Sequence, residues 1–563
     1  MKLGSPAIAI GWEIWRRNRV MFSLVGAGFV LGGIVSHVIG PHHPWTHSME
    51  STCYSVLCAM LLMTFGAFHF TEGRKKGGFG SFPIRLFRAP VPTRWLVGLP
   101  MLYGSLSILA VYWGAALFLF RPLGRNLPIL WPCLYLVFGF TQFQMIVWSF
   151  PEHRYLKLLC LSLAATIILT GWMFFLPHVV EGTLSEWGYT GNPQLFLRML
   201  LAGVALTLPG AYLVSLFRVD CQRHGLASDF KWCSDAWDLL DRKLFPRRTN
   251  FRSAAHAIFW QEWRQTGLIL PLCVAVIAAM ICLPTFLSGP VEVRGTRAVL
   301  LGLFLSPILL ALIIGRGFGK PNFWEPSLSI TPFHAVRPLA SGDWVIAKLK
   351  VAFGSVILTW LIVLAVTVLW LIFGGDFQAF DGELETVRFY YSPPERVIMS
   401  ALGLISFVLL AWRFLIGGLA AGLSGRKLWF YLQNTLTVIF LLSILSLLMA
   451  RNDEPNQDSR LYKLWPYIAW MPVFLGSAVM AKSILAFVIW NKVERRKLFA
   501  AKSISLYLAG WIVATAVPAI LVMIVFENTP WLRSCFLLLS LLWVPLCGPG
   551  LAALSLANNR SGS

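Results

Sequence analysis

The 563-residue chain is 57% hydrophobic and only 13% charged, whereas a soluble domain carries roughly 25% charged residues. That balance excludes an ordinary soluble enzyme and calls for helices that cross a bilayer, because a helix satisfies its own backbone polar groups where water is absent. A net charge of +22 would suit nucleic acid as well as a membrane, so the positions of the basic residues decide between the two.

The chain opens with Ile8, Ile10, Trp12 and Trp15 leading into Arg16, Arg17 and Arg19. This is the pattern of a short interfacial helix that feeds a first span. The apolar run after Arg19 is too long for a cleavable signal peptide, and no small-residue cleavage site precedes Pro41. Apolar runs between polar breaks then give fourteen expected spans, starting near Val20, Ser51, Trp95, Leu127, Leu156, Leu195, Gly267, Arg297, Trp344, Val397, Trp429, Pro466, Ser503 and Leu532.

With the amino end in the cytoplasm, the inner connections are 72–94, 150–157, 218–266, 316–350, 423–428 and 491–502, together with both termini. These segments hold most of the 47 Lys and Arg residues, as the positive-inside rule requires. Orientation and contact with anionic headgroups of membrane lipids account for the excess charge, and no nucleic-acid partner is expected. The longest inner segment carries Trp232, Trp237, Leu239, Leu240 and Leu244 at spacings that suit an amphipathic surface helix.

Several patterns that could carry chemistry are incomplete. The ten cysteines lie mostly inside apolar runs (Cys53, Cys58, Cys133, Cys160, Cys273, Cys282, Cys547) without disulfide spacing and are expected to be buried thiols. His37, His42, His43 and His47 crowd the first outer loop without a cysteine or aspartate, and Cys221, His224 and Cys233 form an incomplete set, so no metal is expected. Gly315-Arg316-Gly317-Phe318-Gly319-Lys320 approaches a phosphate-binding loop, but Pro321 stands where the hydroxyl belongs. Nucleotide hydrolysis, other enzyme activity and a cofactor on this chain are therefore not expected. The acids Asp376, Asp381, Glu383, Glu385 and Glu395 are the densest carboxylate group and suit a solvated outer loop.

Two basic residues and no acid occupy the expected spans, which disfavours proton coupling. Arg413 stands near the middle of its span, where a charge costs about 2.5 to 3.5 kcal/mol on insertion scales. It either lines a polar path or makes a structural helix-helix contact. Lys482 lies nearer the inner end, where its stem can snorkel.

A repeat organises the chain. Trp12-Glu13-Ile14-Trp15-Arg16 returns 248 residues later as Trp260-Gln261-Glu262-Trp263-Arg264. Arg88-Ala89-Pro90-Val91-Pro92-Thr93-Arg94-Trp95 returns 249 residues later as Arg337-Pro338-Leu339-Ala340-Ser341-Gly342-Asp343-Trp344. The expected architecture is all-α: a first six-span unit over 1–217, a cytoplasmic linker over 218–257, a second six-span unit over 258–490 in parallel orientation, and two further spans over 491–563.

At these residues the chain resembles the permease subunits of ABC-2 type transporters. Such permeases begin with an interfacial helix bearing an aromatic, acidic and basic cluster, here Trp12, Glu13, Trp15 and Arg16, with Trp260, Glu262, Trp263 and Arg264 in the second half. Two spans and a cytoplasmic loop follow, which in this sequence looks like Glu72-Gly73-Arg74-Lys75-Lys76 and then Phe82-Pro83-Ile84-Arg85-Leu86-Phe87-Arg88-Ala89-Pro90-Val91-Pro92-Thr93-Arg94. The second half departs from the pattern, with Arg316 to Pro321 in place of the acid-basic run and Arg337-Pro338 at the later position. The resemblance implies a bacterial cytoplasmic, or inner, membrane, and export of an amphipathic, lipid-linked or peptide-like substrate. It also implies a separate ABC ATPase subunit, in two copies, docking on the loop. Prolines 83, 90 and 92 would make that loop stiff enough to transmit a partner's movement. The competing expectations are an ion-driven secondary transporter or lipid flippase, and a membrane enzyme acting on lipid-linked sugars.

Overall fold

The computed structural model describes residues 5–40, 46–68, 70, 82–150, 156–157, 159–161, 164, 193–225, 251, 253–288, 293–321, 323, 328, 330, 340–373, 392–433, 435–437, 470–499, 501–525, 534–535, 537–538, 541 and 546–561. Among them every regular element is a helix. Among the described residues seven helices are long and apolar enough to cross a membrane: Pro6–Ile39, Thr93–Leu123, Ala254–Cys282, Val299–Phe318, Ser341–Phe373, Pro393–Leu423 and Met471–Arg495. The chain is thus a multi-pass helical membrane protein. The expected spans starting near Leu156, Trp429 and Leu532, and the amphipathic stretch Trp232 to Leu244, lie largely or wholly outside the described residues.

The chain divides into two compact units. The first comprises Met1–Pro246, Trp324–Ser327 and Lys427–Asp453, and the second Arg247–Phe323, Leu328–Arg426 and Glu454–Ser563. The first unit therefore takes in Lys427–Asp453, where Thr435 Oγ1 donates to Met63 Sδ at 3.2 Å, although the sequence repeat assigns that stretch to the second half.

The first unit contains α1 (Pro6–Ile39), α2 (Thr46–Phe68), a 3-10 turn (Ile84–Arg88), α3 (Thr93–Ala115), α4 (Leu130–Ser149) and α5 (Pro193–Arg223). Ser5 caps α1 by accepting from the Ile8 N–H, Pro6 supplies a preset φ in the first turn, and Gly40 ends the helix at φ 65°. The interfacial helix and first span are one helix with a break at Asn18 (φ −118°, ψ 15°). The cause is local: Asn18 Nδ2 donates to Ile14 O at 3.1 Å and also to Ala67 O, at the end of α2, at 2.8 Å. Before the break Ile10 and Ile14 are buried while Ile8, Trp12 and Trp15 are exposed, as an interfacial helix demands.

The second unit contains α6 (Ala254–Glu262), a π turn (Trp263–Gly267), α7 (Ile269–Ser288), α8 (Val293–Phe318), α9 (Ser341–Phe373), α10 (Pro393–Gly417), the short α11 (Leu419–Leu423), α12 (Met471–Arg495), α13 (Ala501–Val525) and α14 (Gly548–Ser561). Ser392 and Glu395 cap α10 reciprocally. Of the acids singled out in the sequence, Glu395 is therefore a helix cap, and Asp376, Asp381, Glu383 and Glu385 lie outside the described residues.

The segment that approaches a phosphate-binding loop is instead a helix crossing. Gly315 and Gly319 meet Gly418 and Gly422 so closely that a Cβ on any of the four would collide with backbone of the opposite helix. Small residues four apart on both partners let α8 approach the junction of α10 and α11 backbone to backbone. A leucine at Gly319 should cost at least about 3 kcal/mol, since backbone cannot swing aside as a side chain can. Gly403→Leu, which faces open space, should lose little, and thermal unfolding in detergent distinguishes the two.

Candidate functional site

In the basic turn after α2, stiffness, charge and exposure coincide. Phe82 is fully buried. Its ring stacks on Phe87 at 5.7 Å and meets Trp148 edge-on at 5.4 Å and Phe70 at 5.9 Å. Pro83 is buried beside it, and Leu86 and Phe87 pack on the core. The aromatic anchor fixes where the turn leaves the bundle.

With that side held, Ile84, Arg85, Arg88, Pro90, Pro92, Arg94 and Trp95 remain exposed on the other. Arg85 Nη2 donates to Glu13 Oε1, and that same oxygen lies 3.2 Å from Arg17 Nε. The turn is thereby tied to the interfacial segment of α1, while the Arg85 side chain stays 42% exposed. Trp12 and Arg16 are exposed on that segment.

The turn's other end is gripped by residues that the sequence reading left in a linker. Arg223 Nη1 donates to Val91 O at 2.7 Å and Arg223 Nη2 to Ala89 O at 3.0 Å, while Thr93 Oγ1 donates to Asp220 Oδ1 at 2.7 Å. Gln222 Nε2 reaches Trp148 O at 2.7 Å, and Arg218 reaches Ser149 O at 2.8 Å. All four polar residues sit on the last turns of α5, which runs to Arg223. The signal was available as Arg218-Val-Asp-Cys-Gln-Arg223 continuing the helical run.

The structure therefore joins Glu13, Phe82, Pro83, Arg85 and Leu86 through direct contact or shared packing. It leaves Arg88, Pro90, Pro92 and Arg94 on the open side. Glu72, Arg74, Arg337 and Pro338 lie outside the described residues.

The second interfacial motif is built differently. Glu262 and Lys348 are both buried, at 4% and 1% exposure, with Lys348 Nζ 3.0 Å from Glu262 Oε2. Trp344 Nε1 donates to Glu262 Oε1 at 2.6 Å, and Lys348 also reaches Phe318 O at 3.4 Å. Trp263 folds over Gly267 within the π turn and touches the position of Gly354 on α9. Trp260 and Arg264 are half-buried. Glu262 and Lys348 stand on the helices Ala254–Cys282 and Ser341–Phe373, in the stretches 218–266 and 316–350 that the charge distribution assigns to the inner side. At the repeat spacing, Glu262 and Lys348 fall opposite Ile14 and Leu99, two buried residues of the apolar core of the first unit.

Arg413 and Lys482 are brought within electrostatic reach of each other and of Cys547. Lys482 Nζ donates to Leu541 O, and Cys547 Sγ to Lys482 O at 3.4 Å. Among the described residues no group of three His, Cys, Asp or Glu side chains could hold a metal ion. Cys221 is buried, and His224 pairs with Asp220 at 3.5 Å.

No family model matches this chain, and neither a curated protein nor a solved structure matches it.

The two acids should respond unequally to neutralisation. Glu262→Gln leaves Lys348 buried without its counter-charge and should cost about 3 to 5 kcal/mol, with most of the loss recovered in Glu262→Gln plus Lys348→Met. Glu13→Gln at the surface should cost less than about 1 kcal/mol. Thermal unfolding of the four detergent-solubilised chains, unsubstituted included, measures both.

Proposed function

We propose that this chain is the membrane-spanning permease of an ABC-2-like transporter in a bacterial cytoplasmic membrane. It exports an amphipathic, lipid-linked or peptide-like substrate, driven by a separate ATPase subunit. On this reading the chain has fourteen spans, two parallel six-span units and two additional helices, with the amino end inside. The observation that carries the proposal is the exposed basic turn from Ile84 to Trp95, braced by the Phe82 aromatic cluster, by Glu13 and by Arg223.

A push on such a turn is delivered to four helices at once. Glu13 passes it to α1, Thr93 begins α3, the Phe82 ring bears on Trp148 of α4, and Arg223 ends α5. A flexible loop would absorb the movement instead. Arg85, Arg88 and Arg94 present fixed positive charge to an acidic patch on a partner. The contacting segments are also those that the distribution of Lys and Arg assigns to the cytoplasmic side, where ATP is found.

Arg85→Glu combined with Arg88→Glu should reduce the ATPase recovered with the affinity-purified chain by at least about tenfold, as expected for reversed charge at a docking face. Arg125→Glu, on a different exposed loop, should leave it unchanged. Full retention of the ATPase by the double variant rejects the docking role.

One observation favours an ion-driven transporter or flippase as the second reading, namely the buried Glu262–Lys348 pair at the inner ends of two apolar helices, since buried acid-base pairs occur in proton relays. Under that reading, a proton gradient alone should drive translocation of a fluorescent phospholipid by the purified chain in vesicles, and Glu262→Gln should abolish it. Absence of gradient-driven movement rejects it.

A further inference from the structure

The two helices that follow the basic connections begin alike but meet different surroundings. α3 starts Thr93-Arg94-Trp95 and α9 starts Ser341-Gly342-Asp343-Trp344, with the tryptophans 249 residues apart. The neighbours of the two helices also correspond. α1 packs on both α2 and α3, and α7 packs on both α8 and α9, with α6 against α9 as well. Yet Trp95 is 49% exposed and Trp344 only 5%.

Glu262 of α6 and the helix α14 both cover Trp344, the first through the 2.6 Å hydrogen bond from Trp344 Nε1. The Arg560 guanidinium lies over the Trp344 ring at 5.8 Å, and Arg560 Nη1 reaches Ser341 Oγ at 3.4 Å. The helix is fastened on its other sides too. Asn559 Nδ2 donates to Leu423 O at 3.1 Å and to Leu328 O at 3.2 Å, and Arg496 Nη1 donates to Asn558 Oδ1 at 2.7 Å. The helix's own Ala552, Ala553 and Leu556 are fully buried. Asn559 also packs on Gly425, whose φ of 71° and close contact leave no room for a side chain. The junction of α12 and α13 covers the adjoining backbone, where Gly342 N–H donates to Leu498 O at 3.1 Å.

We infer that α14 covers, in the second unit, the helix start whose counterpart stays open in the first, so that an outside partner docks at the start of α3 while the start of α9 is filled by the chain itself. The inference rests on the docking reading above and narrows it. On this inference a symmetric pair of motor contacts needs two copies of this chain, since among the described residues Arg85, Arg88, Arg94 and Trp95 form one exposed set and Trp344, the counterpart of Trp95, is buried. The same arrangement makes α14 a latch, since releasing it would bare a second face.

Cysteine accessibility in the detergent-solubilised full-length chain tests this without the ATPase. A polar maleimide is added to Arg94→Cys and to Ser341→Cys, and modification of each engineered cysteine is followed by peptide mass spectrometry. Arg94→Cys should react at least about tenfold faster than Ser341→Cys. Adding Asn559→Ala with Arg560→Ala should speed Ser341→Cys by about tenfold, the scale set by losing a few hydrogen bonds of a local latch, and leave Arg94→Cys unchanged. Arg496→Ala, a milder release that spares Asn559 and Arg560, should shift the rate in the same direction. Equal reactivity of the two cysteines in the latched chain overturns the inference, as does an unchanged Ser341→Cys rate after release in a chain whose thermal unfolding shows it still folded. Failure of any ATPase to co-purify would remove the docking reading and leave the labelling contrast standing.

Discussion

A helix ends with carbonyls that have no partner within it, and in an apolar bundle each one left bare costs as much as a lost buried hydrogen bond. This constraint recurs throughout the molecule. The end of α2 is met by Asn18 at Ala67 and by Gln144 at Phe68, and the end of α4 by Gln222 at Trp148 and Arg218 at Ser149. The end of α8 is met by Lys348 at Phe318, and the end of α11 by Asn559 at Leu423. Where the donor is cationic, the negative end of the helix dipole adds to the attraction. Some of the scarce polar residues are thus spent on tying one helix end to another, and the ties knit together segments that the charge distribution assigns to one side.

The two units satisfy this constraint with different chemistry. In the first unit the interfacial helix rests on apolar Ile14, and its acid, Glu13, stays near the surface to hold Arg85. In the second unit an acid stands at the position matching Ile14, a lysine at that matching Leu99, and the two neutralise each other out of water. A buried pair of this kind adds little net stability, because desolvation offsets the attraction, but it tolerates no loss of one member. Glycines 315, 319, 418 and 422 bring α8 against the α10–α11 junction on the same unit. The second unit is therefore locked by close backbone contact and a buried charge pair, and the first by aromatic packing and an accessible salt bridge.

That asymmetry gives the proposed docking turn its meaning. A surface that receives force has to be exposed and also stiff. Here exposure comes from the side of the 3-10 turn that carries Arg85 and Arg88, and stiffness from Phe82 on the opposite side. In the second unit the corresponding helix start lies under Arg560 and against Glu262.

Much of this molecule was legible as sequence because its signals are local. Apolar runs long enough to cross a bilayer mark the helices, Trp and Arg mark where α1 breaks at Asn18, and prolines 83, 90 and 92 mark a stiff turn. Helix also precedes the apolar run of α7 and opens α9, and Glu262 and Lys348 stand on those stretches. What the sequence could not reveal were pairings between distant residues: Arg223 with Ala89 across 134 positions, Lys348 with Glu262 across 86, and Arg560 with Ser341 across 219. Hydropathy and charge settle which stretches become helices, because each helix closes its own hydrogen bonds. Which helix end meets which side chain depends on how the helices pack, and only the folded structure decided that.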